Sequence, residues 1–341
     1  MGETKDETQQ WPQLPKASWA RLLRPSESAT TVSPHFDLPA GVQLAKAATL
    51  PTASDKLDAA LRQQPTQLTL TIPADWHGER PVTIDADAQS SCVLVINVGA
   101  GAHVHLRETW HGRNEAQLHL LVRLKIGFGA VVRYDTLDLL TGDVAIYRHA
   151  KLAEQAQLDW HAATLGECSG GVQHTVDLNG RSSRTNVRMA ALAGGNANLY
   201  VTTTVNNRGR ATQGLINQHG VLTAAAKMVL TGIGAIMLGA RGSDAQQENR
   251  VLMLSDKAVG EANPLLLIDE NDVTAGHAAS VAAVDAQQLY YLMSRGLERT
   301  VALRLVVRGF LLSLLPDDLP AQQLAAVQNV IEAQLIAGDK A

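Results

Sequence analysis

The feature that most constrains this chain is a hydrophobic period of two that starts at Gln67 and continues, strand after short strand, to about residue 268. Leu68, Leu70 and Ile72 alternate with Thr69 and Thr71, Val82 and Ile84 follow Pro81, and Cys92 to Val98 is an almost unbroken apolar run. Between strands a local phrase recurs: a Gly, polar or small residue, then Ala, then an alternating strand. It reads Gly101-Ala102-His103-Val104-His105-Leu106, Gly129-Ala130-Val131-Val132, Gln155-Ala156-Gln157-Leu158, Asn196-Ala197-Asn198-Leu199 and Ala225-Ala226-Lys227-Met228-Val229. Imperfect repetition of short strands with such turns suits a β-solenoid, whose coils bury their inward faces only on their neighbours. A β-sandwich produces a similar pattern, so at this level both architectures stay open. Aromatic residues make up only 4% of the chain, which fits a narrow interior of small and β-branched side chains.

The flanks read differently. Residues 1–66 carry Pro12, Pro15, Pro25, Pro34, Pro39, Pro51 and Pro65, which break any helix into short pieces. Ser18 is placed to cap a short helix to Leu23, and Ser54 to cap a better one to Gln63, with Leu57, Ala60 and Leu61 as its apolar side. This segment reads as a Pro-rich, partly helical arm. Beyond the strands, Asp285 is placed to cap a helix that Gly296 stops; a second runs from about Glu298 to Leu314, and a third follows Pro320 through Leu324, Val327, Ile331 and Leu335. The expected organisation is an arm over residues 1–66, a β core over 67–280 and a helical region over 281–341.

A formal net charge of -4 with 18% charged residues offers no strong field for nucleic acid or an anionic membrane. The N-terminus lacks the basic flank and apolar core of a signal peptide, and no run approaches the roughly 20 apolar residues of a membrane span. Cys92 and Cys168 are too few for a disulfide framework and have no CxxC spacing, so a reducing, cytoplasmic setting is expected.

Catalytic chemistry finds little support. His103 and His105 share one strand face, with Glu108 and His111 nearby, and resemble half of a cupin-type metal site, although the Glu is too close and no second motif follows. Solvated or hydrogen-bonded strand histidines are the plainer reading. Gly127-Phe128-Gly129 and Gly232-Ile233-Gly234 lack the Lys-Ser/Thr or helix start of a phosphate loop and read as turns or bulges. No GxSxG elbow is present. Cys92, in an apolar run, reads as a buried, inert thiol, while Cys168, in Gly166-Glu167-Cys168-Ser169-Gly170-Gly171, reads as exposed on a turn. His277 follows the acidic turn Asp269-Glu270-Asn271-Asp272 and lies among small residues that allow close backbone approach, as at an interface.

One stretch carries a family resemblance. Gln247-x-Asn249-x-Val251-Leu252-Met253-Leu254-Ser255, Pro264-x-Leu266-x-Ile268, Asp272-Val273-x3-His277-x-Ala279, Asp285-x3-Leu289-Tyr290-Tyr291-Leu292-x-Ser294-Arg295-Gly296-Leu297 and Gly309-Phe310 resemble the C-terminal core of the SufB/SufD family, which serves iron–sulfur cluster assembly. The resemblance covers about residues 211–311, with His219 ahead of Ala225-Ala226-Lys227-Met228-Val229, and is compatible from Gln67 onward. It implies a mainly β fold: a right-handed parallel β-helix flanked by helical terminal regions. It also implies pairing with a SufB-like paralogue through the β-helix, and engagement of a SufC-like ABC ATPase by the C-terminal helices. SufB-like members carry Cys at the place of Asn249 and Glu at that of Ala278, whereas His277 is kept, so the resemblance is to the SufD-like branch. A thiolate and a carboxylate are the ligands a cluster scaffold needs, and their absence implies a non-catalytic subunit.

On that resemblance, His277 and Asn249 are the cluster or interface candidates, and Leu289, Tyr290, Tyr291, Ser294, Arg295, Gly296 and Phe310 are the ATPase-docking candidates. No cofactor is expected to be held firmly by this chain, and an iron–sulfur cluster would be present only transiently in the complex. Two other readings stand beside it: a cupin-like metal-binding protein using His103 and His105, and a homodimeric β-helix interaction protein without a cluster role.

Overall fold

The computed structural model describes residues 33–338, apart from residues 48, 51, 54 and 114–116. The helix expected from Ser18 to Leu23 lies outside the described residues. In chain order the strands are β1 (His35–Asp37), β2 (Gln43–Lys46), β3 (Thr66–Ile72), β4 (Val82–Asp87), β5 (Cys92–Val98), β6 (His103–Arg113), β7 (Leu118–Ile126) and β8 (Val131–Leu152). They continue as β9 (Gln157–Leu178), β10 (Arg184–Ala193), β11 (Asn198–Asn207), β12 (Gln213–Leu222), β13 (Lys227–Ile236), β14 (Ser243–Met253), β15 (Val259–Ile268) and β16 (Val273–Ala283). Helix α1 (Lys56–Leu61) precedes β3, and α2 (Ala286–Ser294), α3 (Arg299–Leu312) and α4 (Ala321–Gly338) close the chain.

From β3 onward every pairing is parallel, for example β10 with β12, β12 with β14 and β14 with β16 on one side, and β11 with β13 and β13 with β15 on another. Parallel neighbours so close in the chain require coiling, and the result is a β-solenoid of about eight turns rather than an antiparallel sandwich. Two antiparallel pairs, β1 with β4 and β2 with β3, add short strands from the N-terminal segment, where sequence analysis expected none.

The recurring phrase now has a physical cause. Gly101, Gly129 and Gln155 sit at equivalent turns with left-handed backbone (φ 66°, 62° and 58°), which turns the chain into the next strand. The alanine that follows each, Ala102, Ala130 and Ala156, is fully buried, so the small side chain is demanded by the space inside the corner. The 22-residue strands β8 and β9 bend at glycines instead. At Gly166 and Gly170 (φ 140° and 128°) an added Cβ would stand 2.2 Å from the Leu140 carbonyl oxygen and 2.1 Å from that of Val144. The Gly166–Gly171 segment expected as a turn is therefore a bent strand, and Cys168 is buried in the core rather than exposed. Burial, with Asp138 nearby, pushes its thiol up to about 12. Cys92 is buried as expected, and burial raises its thiol too.

Alternation sends every second residue inward, and the parallel register stacks those residues into columns. One column is Leu106, Tyr134, Trp160, Val187, Ile216, Gln247, His277; the next is Glu108, Thr136, Ala162, Met189, Gln218, Asn249, Ala279. The interior is largely apolar, but it holds a charged knot in its middle coils and buried amides at Gln218, Gln247 and Asn249 toward its C-terminal end. Arg148 donates to Glu108 Oε1 from Nε and Nη2 (3.0 and 2.8 Å) and to the Asp138 carboxylate from Nη1 and Nη2 (3.0 and 2.6 Å). Trp110 Nε1 (2.7 Å) and the Tyr134 hydroxyl donate to Glu108, and Thr164 donates to Asp138 (3.0 Å). Burial and the Arg148 cation together keep His174 neutral, well below the ordinary imidazole range.

Helices cover the outer faces. Leu57 and Leu61 of α1 pack on Val93, Val95, Leu121 and Tyr147. The cap of α1 is Asp55 rather than Ser54, its carboxylate accepting the Asp58 N–H at 2.9 Å. Val307 and Leu311 of α3, with Val327, Ile331 and Leu335 of α4, cover Leu137, Leu165, Leu192 and Val221. Arg133 ties the α3–α4 connection down by bridging Asp318 and Asp135.

Candidate functional site

The coils end at β15 and β16, and the end is open. β16 pairs only with β14, and β15 only with β13, so each leaves one strand edge without a partner among the described residues. A row of free N–H and C=O groups on an edge is a template for association. Ile268 and Val281 continue the columns of buried Ile236 and Val251 yet are exposed at 41% and 40%, so nothing among the described residues covers this coil, and Leu265 and Leu267 add exposed apolar surface on the outer face of β15.

His277 belongs to an inward column whose other members are covered, and it is exposed only because no further coil stacks on it. Its strand, β16, runs three residues past the expected end of the β core at 280; the sequence shows no clear apolar alternation there, and the pairing with β14 is what holds it extended. The residue behind His277 is Gln247, 5% exposed, whose Nε2 donates to the Leu265 carbonyl at 2.8 Å while its Oε1 has no partner among the described residues. Asn249 lies behind Ala279, two residues along, and is fully buried, so it supports the open end from within rather than lining it. Its amide meets that of Gln218 at 3.0 Å, and Gln218 accepts from Thr203 Oγ1 at 2.8 Å.

Gly232 makes space for this seam. A Cβ there would lie 2.4 Å from Gln247 Oε1 and 2.9 Å from Asn249 Oδ1. Gly232-Ile233-Gly234 is thus mid-strand in β13 and not a turn, and its glycine serves side-chain packing. Gln247, Gln218 and Thr203 were missed in the sequence, although polar residues at inward positions of a period-two strand are a legible anomaly.

The outer face of β16 presents Gly276, Ala278, Ser280 and Ala282; Ala278, Ser280 and Ala282 line a shallow hollow with Glu248, Arg250 and Phe310, and Gly276 and Ala278 line a second one with Asn217 and Gln246. At the corner of the open coil, backbone N–H groups of Asn271 and Gly239 hold the Glu270 carboxyl below its usual range.

The docking candidates on the helices separate into two sets. Tyr290 and Tyr291 of α2 are exposed, with the Arg295 guanidinium 5.2 Å from the Tyr291 ring centroid. Ser294 donates to the Tyr291 carbonyl at 2.7 Å, and Asp285 caps α2 by accepting the Gln287 N–H at 2.8 Å. Leu289 is buried, and Gly296 (φ 91°) turns the chain toward α3, so these two shape the surface without presenting a side chain. Phe310 faces the solenoid: its ring stacks on His219 at 4.1 Å, and its carbonyl accepts the His219 Nδ1–H at 2.7 Å. Burial keeps that histidine below its ordinary range.

The cupin-like set does not converge. His105 and His103 do share the outward face of β6, but His105 Nε2 is 2.6 Å from Asp135, and the His103 ring packs on His77 at 4.4 Å. Glu108 points the opposite way, into the charged knot, and His111 pairs with Asp85 at 2.9 Å. Among the described residues no group of three or more His, Cys, Asp or Glu side chains is placed to hold a metal ion.

A family model described as "SUF system FeS cluster assembly, SufBD core domain" matches residues 82–310, from the start of β4 into α3. The chain is 39% identical to the iron–sulfur cluster assembly protein SufD of Bacillus subtilis over 211 residues, which cover 61% of this chain and 48% of that protein. It is 25% identical to an iron–sulfur cluster assembly SufBD family protein of Mycobacterium leprae over 71% of this chain and 28% of that protein. A Mycobacterium bovis member of the same family is 42% identical over 86 residues, 25% of this chain and 22% of that protein. The chain thus spans about half or less of the length of these relatives. Since the matched region takes in both the open coil with His277 and the helix that closes over its flank, the chain belongs to the SufBD family of SUF-system iron–sulfur cluster assembly proteins.

Proposed function

We propose that this chain is a non-catalytic scaffold subunit of a SUF-type assembly complex, pairing through its open solenoid end with a SufB-like, cysteine-bearing paralogue. The observation that carries the reading is the uncovered last coil, with its two free strand edges, exposed Leu265 and Leu267, and a histidine left exposed at the end of an inward column. A single imidazole cannot hold a cluster by itself, and the fully buried Asn249 adds no soft ligand. The nascent cluster is therefore cargo, with His277 supplying one nitrogen and the paralogue the thiolates. On the flank, exposed Tyr290 and Tyr291 with Arg295 form the aromatic and cationic surface on which a SufC-like ABC ATPase would dock. Nucleotide-driven movement of that ATPase would then act on the seam through α2 and α3, which lead directly from β16. Among the described residues no helix is long and apolar enough to cross a membrane.

Co-expression with a SufB-like chain and a SufC-like ATPase tests the reading. The expected result is a complex that survives size exclusion, loses the paralogue on Leu265→Asp/Leu267→Asp, and loses the ATPase on Tyr290→Ala/Tyr291→Ala. Failure to bind either partner, with this chain forming only a copy-to-copy dimer through β15 and β16, would replace the proposal with a homodimeric interaction protein.

A further inference from the structure

The turns along one side of the solenoid stack as regularly as its strands. At each turn a residue in the left-handed region donates its N–H to a carbonyl one coil on: Gly129 to Glu154, Gln155 to Arg181, Ser182 to Arg210, Ala211 to Arg241 and Gly242 to Asp272, all at 2.7–3.0 Å. The accepting residues occupy one structural position, so three successive coils place Arg181, Arg210 and Arg241 in a ladder. Adjacent coils lie roughly 4.7–4.9 Å apart, which makes the ladder about 10 Å long.

The fold does not need arginine there. Other coils put Ala100, Phe128 or Glu154 at the same position, and like charges on neighbouring rungs repel. Arg184 and Arg208 flank the ladder. Arg208 is held by Asp177 at 3.3 Å, and Arg241 lies 3.8 Å from Asp272 with both groups largely exposed. The side chains of Arg181, Arg184 and Arg210 are exposed and have no hydrogen-bond or ion-pair partner among the described residues. Two adjacent rungs, Arg181 and Arg210, with Arg184 beside them, thus carry guanidinium groups without a partner among the described residues, and the third rung, Arg241, is held only by an exposed pair with Asp272; such an edge is a recognition surface awaiting anions.

We propose that this arginine-lined edge binds an acidic segment of a partner protein, one that presents two or three carboxylates in a row. Carboxylates four apart on a helix are about 5–6 Å from one another, close to the rung spacing, and each guanidinium fork takes a carboxylate in bidentate fashion. The ends of the ladder set its register and its class of ligand. Glu154 stands at one end and Asp272, with Asp269 and Glu270, at the other. These carboxylates repel a long polyanion running past the edge but leave room for a short acidic stretch between them. The edge is separate from the faces covered by α3 and α4 and meets the open coil only at its last rung, Asp272. It lies where β10, β12 and β14 begin, whereas α3 and α4 pack near their other ends, on Leu192, Val221 and Leu252.

The test is fluorescence anisotropy of a labelled octaglutamate peptide titrated with the full chain at low salt. Saturable, salt-sensitive binding is expected, weakened tenfold or more by Arg181→Gln/Arg210→Gln/Arg241→Gln. A charge-matched control, Lys46→Gln/Lys125→Gln/Lys257→Gln, should weaken it less than threefold, and circular dichroism should show both variants folded. Equal losses in the two variants would reduce the effect to net charge and overturn the proposal, as would undiminished binding in the arginine variant. A mixed-sequence single-stranded oligonucleotide that binds more tightly than the peptide, and is lost in the arginine variant alone, would overturn it in favour of a nucleic-acid surface.

Discussion

The middle and the open end of the solenoid are built from the same columns, yet they treat polar residues in opposite ways. In the middle coils Glu108, Asp138 and Arg148 are almost wholly removed from water, and each charged atom that faces the knot meets a donor or acceptor. At the end His277, aligned with buried Trp160 and Val187, has no coil above it and stays exposed. Direction alone therefore does not make a residue core. What decides is whether another coil stacks on it, and the end coil keeps an unfinished interior that a partner can complete.

The strongest way to break this comparison is Arg148→Met. Removing the cation leaves Glu108 and Asp138 buried without their shared partner, and losing one member of a buried ionic network costs about 3–5 kcal/mol. Urea denaturation of the isolated chain measures it. A loss below about 1 kcal/mol would mean that the knot relaxes or hydrates easily, and the middle would then resemble the end.

The knot also shows where sequence reading reaches and where it stops. The strands and corners were legible from Gln67 onward because alternation and small residues such as Ala130 are local constraints, whereas the choice of a solenoid over a sandwich came from the family resemblance. The three C-terminal helices were legible through Asp285, Gly296 and Pro320 for the same reason. Arg148 was not, since its partners lie 40 and 10 residues earlier in the chain and only the coiling brings them to one layer. Cys168 was misplaced because Gly166 and Gly170 punctuate a turn and a bent strand with the same letters. His277 was noticed, but its exposure depends on the absence of a following coil, which no local pattern records.

A subtler separation between the two regions comes from pH. His174 is buried beside Arg148, which depresses its folded pKa well below the unfolded value of about 6.5. Between those two values the unfolded chain binds a proton that the folded chain does not, so stability rises with pH in that window and falls as pH drops from 7 toward 5. The slope from one such group is at most about 1.4 kcal/mol per pH unit. His219, also depressed by burial, adds in the same sense. Urea midpoints at pH 7, 6 and 5 should therefore fall in the native chain and fall less in His174→Gln. Identical slopes in the two proteins would place His174 in contact with water.

The smallest effect is expected at the open end, and it is the most discriminating. His277→Ala removes a side chain that has no hydrogen-bond or ion-pair partner among the described residues and no coil above it, so the urea stability of the isolated chain should change by no more than about 0.5 kcal/mol. On the proposed function the same substitution should impair cluster formation in the complex, where the imidazole, covered by a partner, would be the one nitrogen ligand this chain contributes to the seam. Measuring isolated stability at two protein concentrations removes any contribution from copy-to-copy pairing. A loss above about 1 kcal/mol in the isolated chain would show that His277 is already part of a finished core. A variant fully competent in cluster formation would leave the open end an association surface in which the histidine has no chemical part.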